Sequence, residues 1–387
     1  MAKDIHKSGF DEGTLAKLAI LREYIKRWLP VFLENHKNIW GKIQIYDFFA
    51  GEGSDIDGNK GSPVVFLEEL RVYCKTIQKR KLHVDLILNE YRPYKHDKLK
   101  TFIDRFLSDC RKSEYCSLQG SVICPFNLIL ENKDFKLLFN KLYPEMIRTS
   151  QIPRFMFLDQ NGIKFIDNDI FSKLISLERT DFLFFISSSF AQRFAELPEF
   201  QEYLSVSRQE FKSSKPYHCH RVILNYYKNL IPSDKVYYLA PFSIKKPTSG
   251  NIYGLIFGSN SLRGLEKFLH SAWTMDQFTG EANYNIDDDQ IRTGQFSVFP
   301  ESNVVKKLGV FQNSLIEFLS DHPKTNIEVY QFTLESGFTT SHARKFLLDF
   351  QNSQHLRVHR KESEEKVRRS SFYLTYNPKK VILIRYE

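Results

Sequence analysis

Apolar side chains recur every three or four residues from Asp11 to Glu34, at Leu15, Leu18, Ile20, Leu21, Tyr24, Ile25, Trp28 and Leu29. That spacing predicts a long amphipathic helix, with Pro30 kinking its last turn. Its expected role is to pack against the first strand; lidding a ligand mouth is the alternative. The pattern then changes to a continuous β-branched and aromatic run, Ile43 to Phe49, which reads as a buried strand. Gly51-Glu52-Gly53 breaks this strand, and the N-cap Ser62 with the first-turn Pro63 opens an apolar helix to Val72. Similar runs at His83–Asn89, Pro125–Leu130, Phe155–Leu158, Phe182–Ile186, Val236–Leu239 and Asn251–Gly258 predict further strands. Helices are expected between them at Lys95–Cys110, Phe135–Leu142 and Leu262–Trp273. Buried strands alternating with helices define a doubly wound α/β sheet.

The strand, glycine turn and helix around Gly51 and Gly53 form a nucleotide-cradling unit, because a backbone without Cβ lets a ligand approach closely. A lone G-x-G is weak, so the next strand has to support it. His83 to Asn89 ends at Glu90, where such folds place the acid that grips two ribose hydroxyls. The glycines stand further from Glu90 than the usual ~20 residues. A polar insert, Ser54 to Lys60, explains part of the excess and is read as a substrate contact or a spacer.

Gly9 to Leu33, Tyr46-Asp47-Phe48-Phe49-Ala50-Gly51-Glu52-Gly53 and Gly61-Ser62-Pro63 together resemble the three-Cys-motif partner proteins, a family similar to Rossmann-fold methyltransferases. The likeness runs from about residue 9 to residue 290 and is strongest at its start. It implies a seven-stranded methyltransferase sheet that includes an antiparallel edge. It also implies S-adenosylmethionine rather than NAD, since Asp47 precedes the glycine turn and no third glycine stands at the dinucleotide spacing. Asp47, Phe49, Ala50, Gly51, Gly53 and Glu90 are then cofactor ligands, with the Gly51 and Gly53 amides bordering the amino-acid end. Asp134 and Phe135 follow the third strand, where methyltransferases hold adenine; Asp134 as a helix cap is the plainer alternative.

At the end of the fourth strand stands Asp159-Gln160-Asn161-Gly162. In methyltransferases acting on exocyclic amines, an acid or amide here accepts from the amine and raises its nucleophilicity. Related partner proteins tend to carry Asp-Pro-Phe-Gly, so Gln160 and Asn161 remove a stacking ring and add amide hydrogen bonding. Asp159, Gln160 and Asn161 are the candidate catalytic residues.

From Val304 onward the chain reads as three helices, Val305–Leu319, Ile327–Leu334 and Thr340–Gln351, the last capped by Thr339 or Thr340. Two strands, Leu356–Arg360 and Phe372–Tyr376, and a last strand Val381–Arg385 follow. This looks like a C-terminal winged helix-turn-helix. Residues 1–295 then form the Rossmann-like domain, with a helical and polar insertion near 197–250, and residues 300–387 the winged helix. His342, Arg344 and Lys345 would open the recognition helix, with Lys361, Lys366, Arg368 and Arg369 in the wing.

Charge supports that reading. The net charge is +9, and Arg357 to Glu387 alone carries nine Lys or Arg against four Glu, which favours phosphate partners, DNA or RNA. The 34 Phe and 19 Tyr are read mainly as core. Five cysteines, scattered without a C-x-x-C pair, are read as free thiols. His218-Cys219-His220 would put two imidazoles on one face of a strand, but no second ligand pair accompanies it, so no metal is expected. No membrane span or signal peptide is read, which makes cytoplasm the default. The function expected is methyl transfer to nucleic acid. The alternatives are a nucleic-acid-binding protein with a degenerate reaction site, and a scaffold for a three-cysteine protein partner.

Overall fold

The computed structural model describes residues 9–34, 40–112, 116, 124–160, 162–246, 250–288, 305–361 and 367–387. They fall into two compact units, Met1–Gly264 and Leu265–Glu387. The division lies inside a helix, upstream of the junction near 295–300 that the change in sequence pattern predicts.

In the first unit α1 (Glu12–Leu33) precedes β1 (Lys42–Asp47), α2 (Ser62–Arg71), α3 (Cys74–Arg80) and β2 (His83–Asn89). Next come α4 (Pro93–Lys112), β3 (Asn127–Glu131), α5 (Phe135–Arg148), β4 (Arg154–Leu158), α6 (Asn168–Ser176) and β5 (Thr180–Ile186). The short helices α7 (Ser188–Phe194), α8 (Pro198–Gln201) and α9 (Arg208–Lys212) lead to α10 (Cys219–Asn229), β6 (Tyr238–Lys245) and β7 (Ile252–Ser259), and α11 (Leu262–Met275) then belongs to the second unit from Leu265 onward.

The seven strands lie in the order β3-β2-β1-β4-β5-β7-β6. β1 to β5 pair in parallel, and β7 runs antiparallel to both β5 and β6. This is a doubly wound, Rossmann-like α/β sheet with one reversed strand. One detail of the expectation is corrected: the reversed strand is not the edge. The long connection after β5 carries β6 outward, and the hairpin that follows brings β7 back into the gap beside β5. Order reverses between β1 and β4, and the crevice beyond the carboxyl ends of strands at such a reversal is where open α/β sheets bind ligands.

Burial on both faces explains the apolar runs. Phe155, Phe157, Phe182 and Phe184 are fully buried, and Tyr24 of α1 sits 5.4 Å from Phe155 and 5.0 Å from Phe257, ring centre to ring centre. A buried polar knot fastens the same helix: the Asp181 carboxylate accepts from the Tyr24 hydroxyl (2.6 Å) and the Trp28 indole (3.0 Å). Burial raises the Asp181 carboxyl above its ordinary value, and its donors oppose that rise. α1 passes through Pro30 and ends at Leu33.

One further reading changes. His218-Cys219-His220 is not a strand; Pro216 opens a 3₁₀ turn that runs into α10. His220 is wholly buried, with Nδ1 on the Ser188 hydroxyl (2.8 Å) and Nε2 on the Leu255 carbonyl (3.1 Å). Among the described residues no group of three or more His, Cys, Asp or Glu is placed to hold a metal. The five cysteines are free thiols, as read. Burial pushes the Cys74 thiol up to about 12, and Cys124, Cys110 and Cys116 stand near enough to add to that rise. No helix among the described residues is long and apolar enough to cross a membrane.

The second unit continues with α12 (Lys306–Asp321), β8 (Lys324–Thr325), α13 (Asn326–Glu335), α14 (Thr340–Asn352), β9 (Leu356–Arg360) and β10 (Ile382–Tyr386). β10 lies between β8 and β9 and is antiparallel to both. The strand expected at Phe372–Tyr376 does not form, because Ser370 (φ 64°) and Tyr373 (φ 51°) are left-handed and interrupt the extended backbone. Phe372 is buried all the same. Stacked rings fill the core, Phe311 on Phe338 at 4.0 Å and Phe318 on Phe332 at 4.2 Å.

Candidate functional site

The carboxyl ends of β1, β2 and β4 deliver three loops to one place because these strands are parallel neighbours. The β1 loop carries Gly51 (φ 66°) and Gly53 (φ 92°), conformations that favour glycine. A Cβ on Gly53 would stand 2.8 Å from Cδ1 of Phe102. Gly53 O accepts from Gly61 N–H (2.8 Å), which closes the 54–60 insert into a compact lobe. Asp55 organises that lobe: its carboxylate accepts from the amides of Asp57, Asn59 and Phe10 at 3.0, 2.7 and 2.5 Å. These donors, with the Asn59 side chain, hold its carboxyl below the ordinary range against the opposing effect of burial. Through Phe10, Asp55 also ties the chain entering α1 to the loop.

Glu90 follows β2 directly. Its Oε2 accepts from Gly51 N–H (3.1 Å) and its Oε1 from Arg92 N–H (2.8 Å). The Gly51 amide, expected to border the cofactor's amino-acid end, is therefore taken by Glu90. Asn89 beneath it is buried and bonds the Phe48 carbonyl and both backbone groups of Lys133, clipping the ends of β1, β2 and β3 together.

Between these loops lies a cavity of about 820 Å³, within the size range of small-molecule sites. Phe49, Ala50, Gly51, Gly53, Glu90, Asp134, Phe135, Asp159 and Gln160 all line it. Phe49, Phe135 and Phe165 form one side, with ring centres 5.1 to 6.0 Å apart. Asp134 caps α5 by accepting from Leu137 N–H (3.1 Å) while remaining in the wall. The capping role read for Asp134 is thus the one the structure shows.

Asp47 is the exception among the cofactor candidates. It is buried under the loop rather than in the wall, its Oδ1 accepts from Phe49 N–H (3.2 Å), and its Oδ2 has no hydrogen-bond partner among the described residues. Burial drives its carboxyl up to about 7, and Asp159 and Glu90 add to the rise. Ser62 and the Phe49 amide act the other way; the Ser62 hydroxyl is close enough to favour the ionised form without reaching hydrogen-bond geometry.

At the end of β4, Gln160 is buried and its Oε1 accepts from the amides of Phe165 (3.0 Å) and Ile166 (3.2 Å), while Nε2 finds no partner among the described residues. Asn161 lies outside the described residues. Asp159 is ion-paired with Lys17 of α1, a side chain only 6% exposed whose ammonium also stands 4.8 Å above the Phe185 ring. Lys17 went unread in the sequence. The signal was present: Lys17, Leu21, Tyr24 and Trp28 share the buried stripe of α1, so one charge interrupts an apolar face. Phe10, Thr14, Lys17 and Leu18 all line the cavity, so α1 and its approach form part of its wall, while the helix sets Tyr24 on Phe155 of β4 and Phe257 of β7.

In the second unit Arg344, Lys345, Lys361, Arg368 and Arg369 are exposed, and Lys366 lies outside the described residues. Arg344 donates to the Ser370 carbonyl (3.3 Å) and Arg369 to the Asn352 side chain. His342 departs from its expected role. Its Nδ1 closes a capping box with Thr339, and its ring packs 4.1 Å from Trp273. Burial, then His270, Lys307 and Lys345, depress its imidazolium to about 4, leaving it neutral and occupied.

No protein-family model and no curated protein matches this sequence. Among solved structures it is similar to the O-methyltransferase TomG of Streptomyces achromogenes, at 9% identity and a TM-score of 0.34 over 65% of this chain and 91% of that one. It is also similar to a Listeria monocytogenes protein provisionally described as a class I S-adenosylmethionine-dependent methyltransferase, at 8% identity and a TM-score of 0.30 over 65% of this chain. The chain spans 62% of that protein's length. The plantazolicin methyltransferase BamL gives 8% identity and a TM-score of 0.28 over 64% of this chain and 86% of that one. These are loose overlays, and the sheet order rests on this chain's own strand register.

Proposed function

We propose that the protein is an S-adenosylmethionine-dependent methyltransferase acting on nucleic acid. The observation that carries this reading is the cavity at the strand-order reversal, with the glycine loop as its floor and Glu90 in its wall. Each Glu90 oxygen accepts one backbone N–H and keeps a second lone pair for a ribose hydroxyl. Phe49, Phe135 and Phe165 offer ring surface for adenine, with Asp134 beside them. A bound sulfonium would supply an activated methyl group; the protein's part is to align it with a nucleophile and manage one proton. Glu90→Gln is expected to weaken S-adenosylmethionine binding about 10- to 100-fold, as a charged hydrogen-bond acceptor is lost. Isothermal titration checks this, and an unchanged affinity would count against the assignment.

The second unit is read as a winged helix whose α14 and 361–381 segment meet phosphates. Arg344→Ala with Lys345→Ala should weaken binding to RNA and DNA of any sequence alike and make its salt dependence shallower by about one unit of slope for each phosphate no longer neutralised. Fluorescence anisotropy across a salt series measures this, and an unaltered slope would remove α14 from the interface. The N-terminal stretch and the Asp47 to Gly53 loop favour kinship with the three-Cys-motif partner proteins, and co-purification with a three-cysteine protein tests it. A second reading, a binding protein whose reaction site has lapsed, is favoured by the occupied Asp159 carboxylate. Labelled methyl donor separates the two, since that reading requires binding without transfer.

A further inference from the structure

The end of β4 holds a fixed cation where a nitrogen acceptor would want none. Lys17 donates to Asp159 Oδ2 and lies over Phe185, and all three side chains line the cavity. The cation is clamped in place: Tyr253 stacks on Phe185 with ring centres 5.5 Å apart, and Lys246, seated 4.7 Å over Tyr253, is itself anchored to Asp11 (2.6 Å). Gln160 adds a second donor to the same wall, its Nε2 buried and unpartnered among the described residues.

We infer that the acceptor atom is a hydroxyl oxygen and that Lys17 selects it; this rests on the methyl-transfer reading above. The two nucleophiles develop opposite charges. An amine nitrogen attacking a methyl sulfonium becomes positive and offers N–H donors, so it calls for a free carboxylate and is opposed by an ammonium beside it. A hydroxyl oxygen must shed its proton and turns negative, so it calls for one proton acceptor and neighbouring donors. One carboxylate, an ammonium and an amide N–H make the second set.

In the step, a lone pair of the hydroxyl oxygen forms the O–CH₃ bond while the CH₃–S bond breaks, its electron pair passing to sulfur and turning the sulfonium into a neutral thioether. The hydroxyl proton goes to the Asp159 carboxylate and from there to water. Lys17 stays protonated and offsets the charge growing on oxygen. For a nucleic-acid substrate this choice also separates the polymers, because every internal nucleotide of RNA carries a 2′-hydroxyl and DNA carries none.

The test incubates the full chain with methyl-labelled S-adenosylmethionine and either total RNA or DNA, then digests to nucleosides for mass spectrometry. Label on ribose oxygen in the RNA arm is expected. Label on a base nitrogen in either arm, or binding of the cofactor with no transfer to RNA, overturns the inference. Failure of S-adenosylmethionine to bind the parent in calorimetry sinks the underlying methyl-transfer reading instead, so the two failures are distinguishable. Lys17→Met keeps the stem packed and removes the charge. It should lower kcat by about 100-fold or more with cofactor affinity unchanged, and Lys17→Arg should recover part of the loss. Parent-like turnover in Lys17→Met would also overturn the assignment.

Discussion

The stability of the parent protein is expected to fall with rising pH by about 4 kcal/mol more than that of Asp47→Asn between pH 4 and pH 8. The cause is the burial of Asp47 beneath the glycine loop with one oxygen unpartnered. Its carboxyl titrates near 3.8 when exposed and near 7 in the folded chain. Between those values the folded protein keeps a proton that the unfolded chain has released, so the unfolded state gains as pH rises. At about 1.4 kcal/mol for each pH unit, the gap amounts to roughly 4 kcal/mol. The benefit of holding this proton is complete below pH 3.8 and gone above about pH 7. The amide introduced by Asp47→Asn does not titrate and meets the same unpartnered pocket at every pH, so its cost is constant. Urea unfolding of both proteins at half-unit steps checks the slopes, and parallel curves would show that Asp47 is solvated or paired in solution.

Much of the first unit was legible because its strands are covered on both faces. Such strands appear as uninterrupted apolar runs, and the ends of Ile43–Phe49, His83–Asn89 and Phe155–Leu158 place the glycine loop, Glu90 and Asp159 without any knowledge of strand order. Parallel pairing then brings them together of necessity. Strand order itself is written in no local pattern, which is why β7 was read beside the edge without its place between β5 and β6. The helices α3, α6 and α7 were missed because segments of seven to nine residues scarcely display a 3.6-residue period.

The chemistry at the site was less legible wherever it depends on partners distant in sequence. Lys17 meets Asp159 across 142 positions, and nothing near either residue announces the other. His342 shows the converse error. Its position at the head of a helix suggested an outward-facing group, while the capping box and the Trp273 ring that hold it inward are tertiary facts. Asp47 was read as a cofactor ligand, but a sequence cannot say whether an acid at a strand's end faces the cavity or, as here, lies under it.

Gly53→Ala should cost about 3 kcal/mol of stability, while the chemically identical change Gly58→Ala should cost about 1 kcal/mol. Both glycines are left-handed, at φ 92° and 79°, so both variants carry backbone strain. They differ in what the new methyl meets. Among the described residues nothing lies within 4 Å of a Cβ on Gly58, whereas a Cβ on Gly53 comes 2.8 Å from Cδ1 and 3.2 Å from Cγ of Phe102. Retreat the other way is closed, because Gly53 O is held by Gly61 N–H at 2.8 Å and Gly61 has its own tight approach to that carbonyl. The strain therefore passes to Phe102 and α4, which begins three residues after Glu90. A loop displaced in this way also breaks the bond from Gly51 N–H to Glu90. Gly53→Ala should accordingly lose ligand affinity at the cavity together with stability, and Gly58→Ala should keep it. Denaturant midpoints and calorimetric titration on both variants decide the matter. Equal losses at the two positions would mean that backbone strain alone, and not the packing of the loop on α4, holds the floor of the cavity in place.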